Sequence, residues 1–170
     1  MKGPAIIALA IGLGFFLTGA AFGQRVSLLF PFQDATGLGL EKRSVELKEG
    51  LANQAREIIL ALLAGPRTRL ASVFGPGEHL RQVFVNQAGI AYVDLAESAV
   101  KGSAAGVMSA RLRLWSLVNS ICINLEAVKA VKILVGGQEV STFMGHIDIS
   151  RPLYPDYSLI PKDGQPKETE

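Results

Sequence analysis

A chain of 170 residues, 49% hydrophobic and 19% charged, is long enough for one ordinary domain with a real core and too apolar for wholesale disorder. Its formal charge of +2 arises from 17 basic and 15 acidic residues that interleave, so it carries no electrostatic footprint for nucleic acid. The single cysteine, Cys122, excludes an intrachain disulfide and a thiolate metal cluster.

Lys2 is followed by an uncharged, strongly apolar run up to Gln24. A short positive region before an apolar stretch marks an export signal, and Ala21 and Gly23 around Phe22 give a small-residue cleavage pattern. The same run can also cross a bilayer, which takes about 20 apolar residues in a helix. Residues 1–24 therefore read as a signal peptide or as an N-terminal transmembrane anchor, and the sequence leaves both open. No cysteine stands near the cleavage pattern, so a lipid-modified N-terminal cysteine is excluded. Either reading puts the remaining chain outside the cytoplasm, in the periplasm or at the cell surface, membrane-anchored or secreted.

Residues 26–32 read as a strand, with Pro31 pointing to an edge or to its end. Residues 34–39 form a turn-rich link, and 40–47 a weaker extended piece in which Val45 and Leu47 alternate with charged neighbours. The period turns helical over 49–64, where Leu51, Ala55, Ile58, Ile59, Leu62 and Leu63 share a stripe and Gly65-Pro66 ends the helix. A loop with a turn at Pro76-Gly77 leads to strands at 80–86 and 90–95, joined as a hairpin by Gln87-Ala88-Gly89. Small residues at 102–106 precede a second helix over 107–124, with Leu114, Leu117, Val118, Ile121 and Leu125 as its apolar stripe, Arg111 exposed, and Cys122 as a small buried hydrophobe.

Residues 128–135 alternate apolar and basic and read as a strand. Gly136-Gly137 is a tight turn, 138–142 its returning hairpin partner, and 143–153 the closing segment. From Tyr154 onward, Pro155, Pro161 and Pro166 punctuate a stretch with little apolar content, which predicts a loose, flexible tail over 154–170. Helices interleaved with strands predict an α+β domain over 25–153, a mixed β-sheet with two helices packed on one face.

Few residues carry reactive chemistry. The only histidines are His79 and His146. On a strand, His146 and Asp148 would face one side and could orient an imidazole for base work, but no third member of a nucleophilic set accompanies them. Asp94, at a strand end, is expected to accept backbone N–H groups; a cation site there would need further oxygens that no acid-rich loop supplies. Asn119 and Ser120 stand among apolar residues on the second helix, so the asparagine is expected to bond the backbone of a neighbouring loop. Trp115 flanks the stripe and is expected in the core, or at an interface if exposed. Gly136 and Gly137 match no phosphate-binding pattern, and Arg67, Arg69, Lys129 and Lys132 are too sparse for a dedicated lipid patch. No catalytic, cofactor-binding or metal-binding residue is assigned.

Several segments together resemble the GerMN domain, a family named from a protein of spore germination. They are the hairpin from Val83 to Leu95 ending in Val93-Asp94-Leu95, the helix segment Leu114-Trp115-Ser116-Leu117-Val118-Asn119-Ser120, the strand and turn from Val128 to Gly137, and the closing His146-Ile147-Asp148-Ile149-Ser150-Arg151-Pro152-Leu153. The resemblance covers residues 26–153 and rests on order and spacing. It implies a non-catalytic binding or scaffold module of the bacterial cell envelope, similar to the ring-building modules of secretion-type assemblies and acting by protein–protein interaction. Its partner would be another envelope protein or further copies of itself, with no small-molecule cofactor and membrane contact through the N-terminal segment. The chain departs from lipoprotein members in lacking the lipid-attachment cysteine, and it offers one such domain where the spore protein has two, so a sporulation role is not implied. The alternative is an envelope hydrolase or glycan-binding protein with a site near Asp94, His146 and Asp148.

Overall fold

The computed structural model describes residues 23–75, 80–99 and 106–162. Residues 1–22 of the targeting segment, the Pro76-Gly77 turn, His79 and the tail beyond Lys162 lie outside the described residues, as does most of the small-residue run at 102–106. In chain order come β1 (Gln24–Pro31), β2 (Leu38–Val45), α1 (Leu51–Leu63), β3 (Leu80–Val85), β4 (Ile90–Leu95), α2 (Val107–Asn124) and β5 (Ala130–Val135). The two-residue strands β6 (Thr142–Phe143) and β7 (Ile147–Asp148) follow.

β1 and β2 form an antiparallel ribbon in which Leu28 faces Glu41 and Val26 faces Arg43. β3 and β4 pair antiparallel and β4 and β5 parallel, giving a mixed three-stranded sheet ordered β3-β4-β5. The parallel pair follows from α2, which carries the chain back between β4 and β5 as a crossover must. The helices touch each other; α1 also packs on β3 and β1, and α2 on β1 and β5. Between them lies one core, built from Leu28 and Phe30 of β1, Ile58 and Ile59 of α1, Leu117 and Ile121 of α2, and the inward residues of the sheet such as Val93 and Ile133. The apolar stripe of α2 is buried as its period predicted, and that of α1 is buried at Ala55, Ile58, Ile59 and Leu62 with Leu51 and Leu63 half-buried at its margins. The fold is α+β.

Three local expectations change. The weak extended piece after Gly39 is a full strand, β2, because its two inward charges, Glu41 and Arg43, neutralise each other in the interior. Residues 138–142 do not return along β5. Gly136 and Gly137, with φ of 61° and 81°, make the two-residue turn that closes Val135 on Gln138, and the pairing stops there. Farther along β5 the edge is taken by Leu153, which exchanges both backbone bonds with Val131 at 2.9 and 2.7 Å. The Lys132 ammonium, buried, holds that closing segment by the carbonyls of Ile149 and Ser150. Displaced from β5, β6 pairs with β7 instead.

The third change concerns the start of the tail. Residues 154–161 are docked on α2 and not loose. Asn119 and Asp156 bond reciprocally, Nδ2–H to the Asp156 carbonyl at 2.8 Å and the Asp156 N–H to Oδ1 at 2.9 Å. Arg111 is ion-paired with Asp156 at 2.8 Å, and Trp115 Nε1–H donates to the Tyr154 carbonyl. Leu159 and Ile160 then close a second small core of Leu29, Leu38 and Leu112. Gly37 permits this approach, since a Cβ there would lie 2.8 Å from the Leu159 carbonyl.

Candidate functional site

Asp94 ends up between two strands and a turn. Its Oδ1 accepts the Gly137 N–H at 2.7 Å and its Oδ2 the Arg81 Nε–H at 2.9 Å. The carboxylate is buried and therefore fixes the β5 turn to β4, the backbone-capping role expected of it. Asp148 is exposed, and its Oδ1 accepts the Ser150 N–H at 2.8 Å; the Ser150 hydroxyl and N–H hold its carboxyl below the usual value. His146 does not share a strand face with it. Met144 and Gly145, with φ of 51° and 74°, turn the chain between β6 and β7 and leave His146 in that turn, exposed. A hollow of about 470 Å³ nearby is lined by Glu97, Val135, Gln138, Val140, Thr142 and Met144 among others, and by none of Asp94, His146 or Asp148. Asp94 and Asp148 thus bond backbone N–H groups, at Gly137 and Ser150, and His146 stands exposed in the turn before β7.

The buried polar residues of α2 have a different use. Among the described residues β1 has no strand neighbour on the side away from β2, and α2 lies along it. Ser116 Oγ–H donates to the Leu29 carbonyl, Ser120 Oγ accepts the Leu29 N–H at 2.9 Å, and Asn124 both accepts the Ser27 N–H at 2.8 Å and donates to the Ser27 carbonyl at 2.7 Å. Residues four apart on a helix fall on one face, so Ser116, Ser120 and Asn124 form a polar row that replaces a missing strand. Asn119 bonds the loop backbone at Asp156, the role expected of it. Cys122 is buried, and burial pushes its thiol up to about 11, which suits an inert packing residue. Trp115 is half-buried beside Arg111, whose guanidinium lies 5.8 Å from the ring centre.

Glu41 and Arg43 make the other buried polar cluster. Arg43 is ion-paired with Glu41 and also donates to the carbonyls of Ala61 at 2.7 Å and Gly65 at 2.8 Å, so it caps the C-terminal end of α1. The second Glu41 oxygen accepts the Arg67 N–H at 2.8 Å and the Thr68 hydroxyl at 3.0 Å. Burial pushes the Glu41 carboxyl up, but Arg43 and these two donors outweigh it and hold it below the ordinary value. Sequence reading missed this cluster; its signal was a Glu and an Arg two apart in an extended segment, on the face where apolar residues would be expected.

Several large apolar side chains also remain open to solvent. On the outer face of the three-stranded sheet, Phe84 is 61% exposed and its ring packs on Tyr92 at 6.2 Å between centroids. At the far end of the ribbon a groove of about 450 Å³ opens between Phe32, Gln33, Leu40, Arg69 and Leu70. Leu40 at its lip is 41% exposed. Of the basic residues weighed from sequence, Lys132 is buried as a strut, whereas Arg67 and Arg69 stand exposed near this groove. Among the described residues no helix is long and apolar enough to cross a membrane, and no group of three or more His, Cys, Asp or Glu is placed to hold a metal ion.

The fold is shared with solved structures. A protein from Clostridium perfringens described as a lipoprotein superposes with a TM-score of 0.56 at 23% identity, over 78% of this chain and 88% of that one. The first GerMN domain of the sporulation protein GerM from Bacillus subtilis gives 0.59 at 17% identity, over 77% and 97%. The tandem GerMN domains of the same protein give 0.58 at 14%, over 77% of this chain and 46% of that one. No curated protein matches the chain in sequence. The profile of the family Germane, described as sporulation and spore germination, matches residues 28–141. With that match over more than half its length, on this fold, the chain belongs to the Germane family, the GerMN-type domains.

Proposed function

We propose that this chain is a binding module of the bacterial cell envelope that works by holding a protein partner and not by catalysis. One observation carries the reading: the buried polar side chains Asp94, Ser116, Asn119 and Ser120 are committed to the domain's own backbone, while aromatic and aliphatic groups stand open on its surface. Asp94 serves Gly137, Asn119 serves Asp156, and Ser116 and Ser120 serve Leu29. Phe84 and Leu40, by contrast, contribute apolar surface to solvent. A hydrolase or glycan-binding site at Asp94, His146 and Asp148 would need them convergent in one concavity.

Lys2 with its apolar run supports delivery by the N-terminal segment to the outer side of the membrane, as does the fold shared with a protein described as a lipoprotein. Photoreactive residues placed singly at Phe84 and Leu40 of the full chain, irradiated in native membranes, test the reading. A discrete protein adduct from either position is expected. Adducts from neither, with the protein folded and exported, would contradict it.

A further inference from the structure

We propose that the free edge of β2 accepts an extended, acidic segment of a partner as an added strand, with one of its apolar side chains in the groove beside Leu40 and Leu70. The inference rests on the binding-module reading and names the surface and the chemistry of the partner. Strand parity fixes which backbone groups are available. Ser27 and Leu29 turn their N–H groups to α2, so Val26, Leu28 and Phe30 are the β1 residues that bond β2. Their partners Arg43, Glu41 and Gly39 are thereby spent. The N–H and C=O groups of Leu38, Leu40, Lys42 and Ser44 point the other way, where no hydrogen-bond partner stands among the described residues. An unpaired edge of this length is a template for another strand.

Two features select what pairs there. The groove of about 450 Å³ lies against Gly39 and Leu40, so a strand added along the edge passes its mouth. Gly39 lets Leu70 and Phe32, two walls of the groove, pack directly onto the strand: a Cβ would sit 2.6 Å from a Leu70 methyl and 2.9 Å from the Phe32 ring. Strand addition uses this division of labour, main-chain bonds for affinity and a side-chain pocket for specificity. The surroundings are cationic. Arg25, Lys42, Arg67 and Arg69 are exposed, against the exposed acids Asp34 and Glu46. Asp34 is engaged by the Thr36 N–H and hydroxyl, and Glu41 is neutralised by Arg43. An acidic segment complements this rim and a basic one is repelled by it.

The test titrates the full chain, in detergent micelles at low salt, into a fluorescent decapeptide of alternating valine and glutamate, read by anisotropy. Saturable binding is expected, about tenfold or more tighter than for the valine–lysine counterpart, a difference of about 1.4 kcal/mol. Lys42→Pro removes an outward N–H and no ladder bond, so it should abolish binding, whereas Val83→Pro on β3 should retain it. If Lys42→Pro does not fold, the exposed-site double variant Lys42→Glu with Arg69→Glu decides, by reversing the preference between the two peptides. Absence of saturable binding, equal binding of both peptides, or loss with Val83→Pro alone would overturn the proposal. Should it fail while Phe84 still yields an adduct in membranes, the binding-module reading stands without it; adducts from no surface position would remove both.

Discussion

Ser116, Ser120 and Asn124 recur every fourth residue along α2, and together they give β1 the hydrogen bonds that a neighbouring strand would supply. That spacing was visible in the sequence as a polar row inside the 107–124 helix, but polarity alone does not say whether such a row bonds a ligand, a loop or a strand. The backbone groups at Ser27 are what Asn124 satisfies, so Asn124→Ala should destabilise the domain by about 2 kcal/mol, the cost of partners left unsatisfied in a part-buried setting. Chemical denaturation of the variant checks this, with Ser44→Ala, an exposed serine on β2, as the neutral comparison.

Glu41 gives a pH signature. Its carboxyl is held below the ordinary 4.5 in the fold, so its ionised form adds stability above that value and loses it as pH falls through the lowered one. Glu41→Gln leaves the buried Arg43 unpaired and should destabilise the domain by about 3 kcal/mol at pH 7. Melting temperatures followed from pH 7 downward should begin to converge for the wild type and the variant as pH falls below 4.5, and should meet only below the lowered folded-state value, where the wild type forfeits the same interaction.

At the level of elements, the helices were legible because their period and the Gly65-Pro66 stop are local signals, and Leu117, read as central to the second stripe, is fully buried. Leu117→Asp places an unpaired charge in the core and should prevent cooperative folding, which a featureless thermal melt would show. β2 was harder to read, since the two residues that should have been apolar on its inward face are a mutually neutralised Glu and Arg. The tail was harder still: residues 154–161 are proline-punctuated and carry neither a helical nor a strand period, and they are held by contacts with α2 and beside Gly37 that no local pattern announces. Deleting everything after Leu153 would uncover Leu29, Leu38 and Leu112 and strip Asn119 of its loop partners. The truncated domain should lose about 3 kcal/mol relative to one ending at Lys162, measurable by urea denaturation.

Across the whole molecule, the resemblance seen in the Val83–Leu95 hairpin, the Asn-Ser pair of α2 and the Val128–Gly137 strand led to the right family because those segments meet in one core. The suggestion of chemistry at His146 and Asp148 assumed one strand running through both, whereas only Asp148 belongs to β7 and His146 is the last residue of the turn before it. What the sequence did not reveal is the surface. The β2 edge and its groove are assembled from residues 32–42 and 67–70, brought together by the turn after β1 and by the Glu41 contacts to Arg67 and Thr68.

The most direct test of the central claim is complementation of a deletion strain with variants shown to be folded and equally abundant. His146→Ala and Asp148→Ala should each support the cellular role as the wild type does, while Phe84→Ser or the double change Lys42→Glu with Arg69→Glu should impair it. A general base lost from an enzyme typically lowers rate by about 10²–10⁴-fold, so loss of the role with either site variant, alongside full function of both surface variants, would contradict the account.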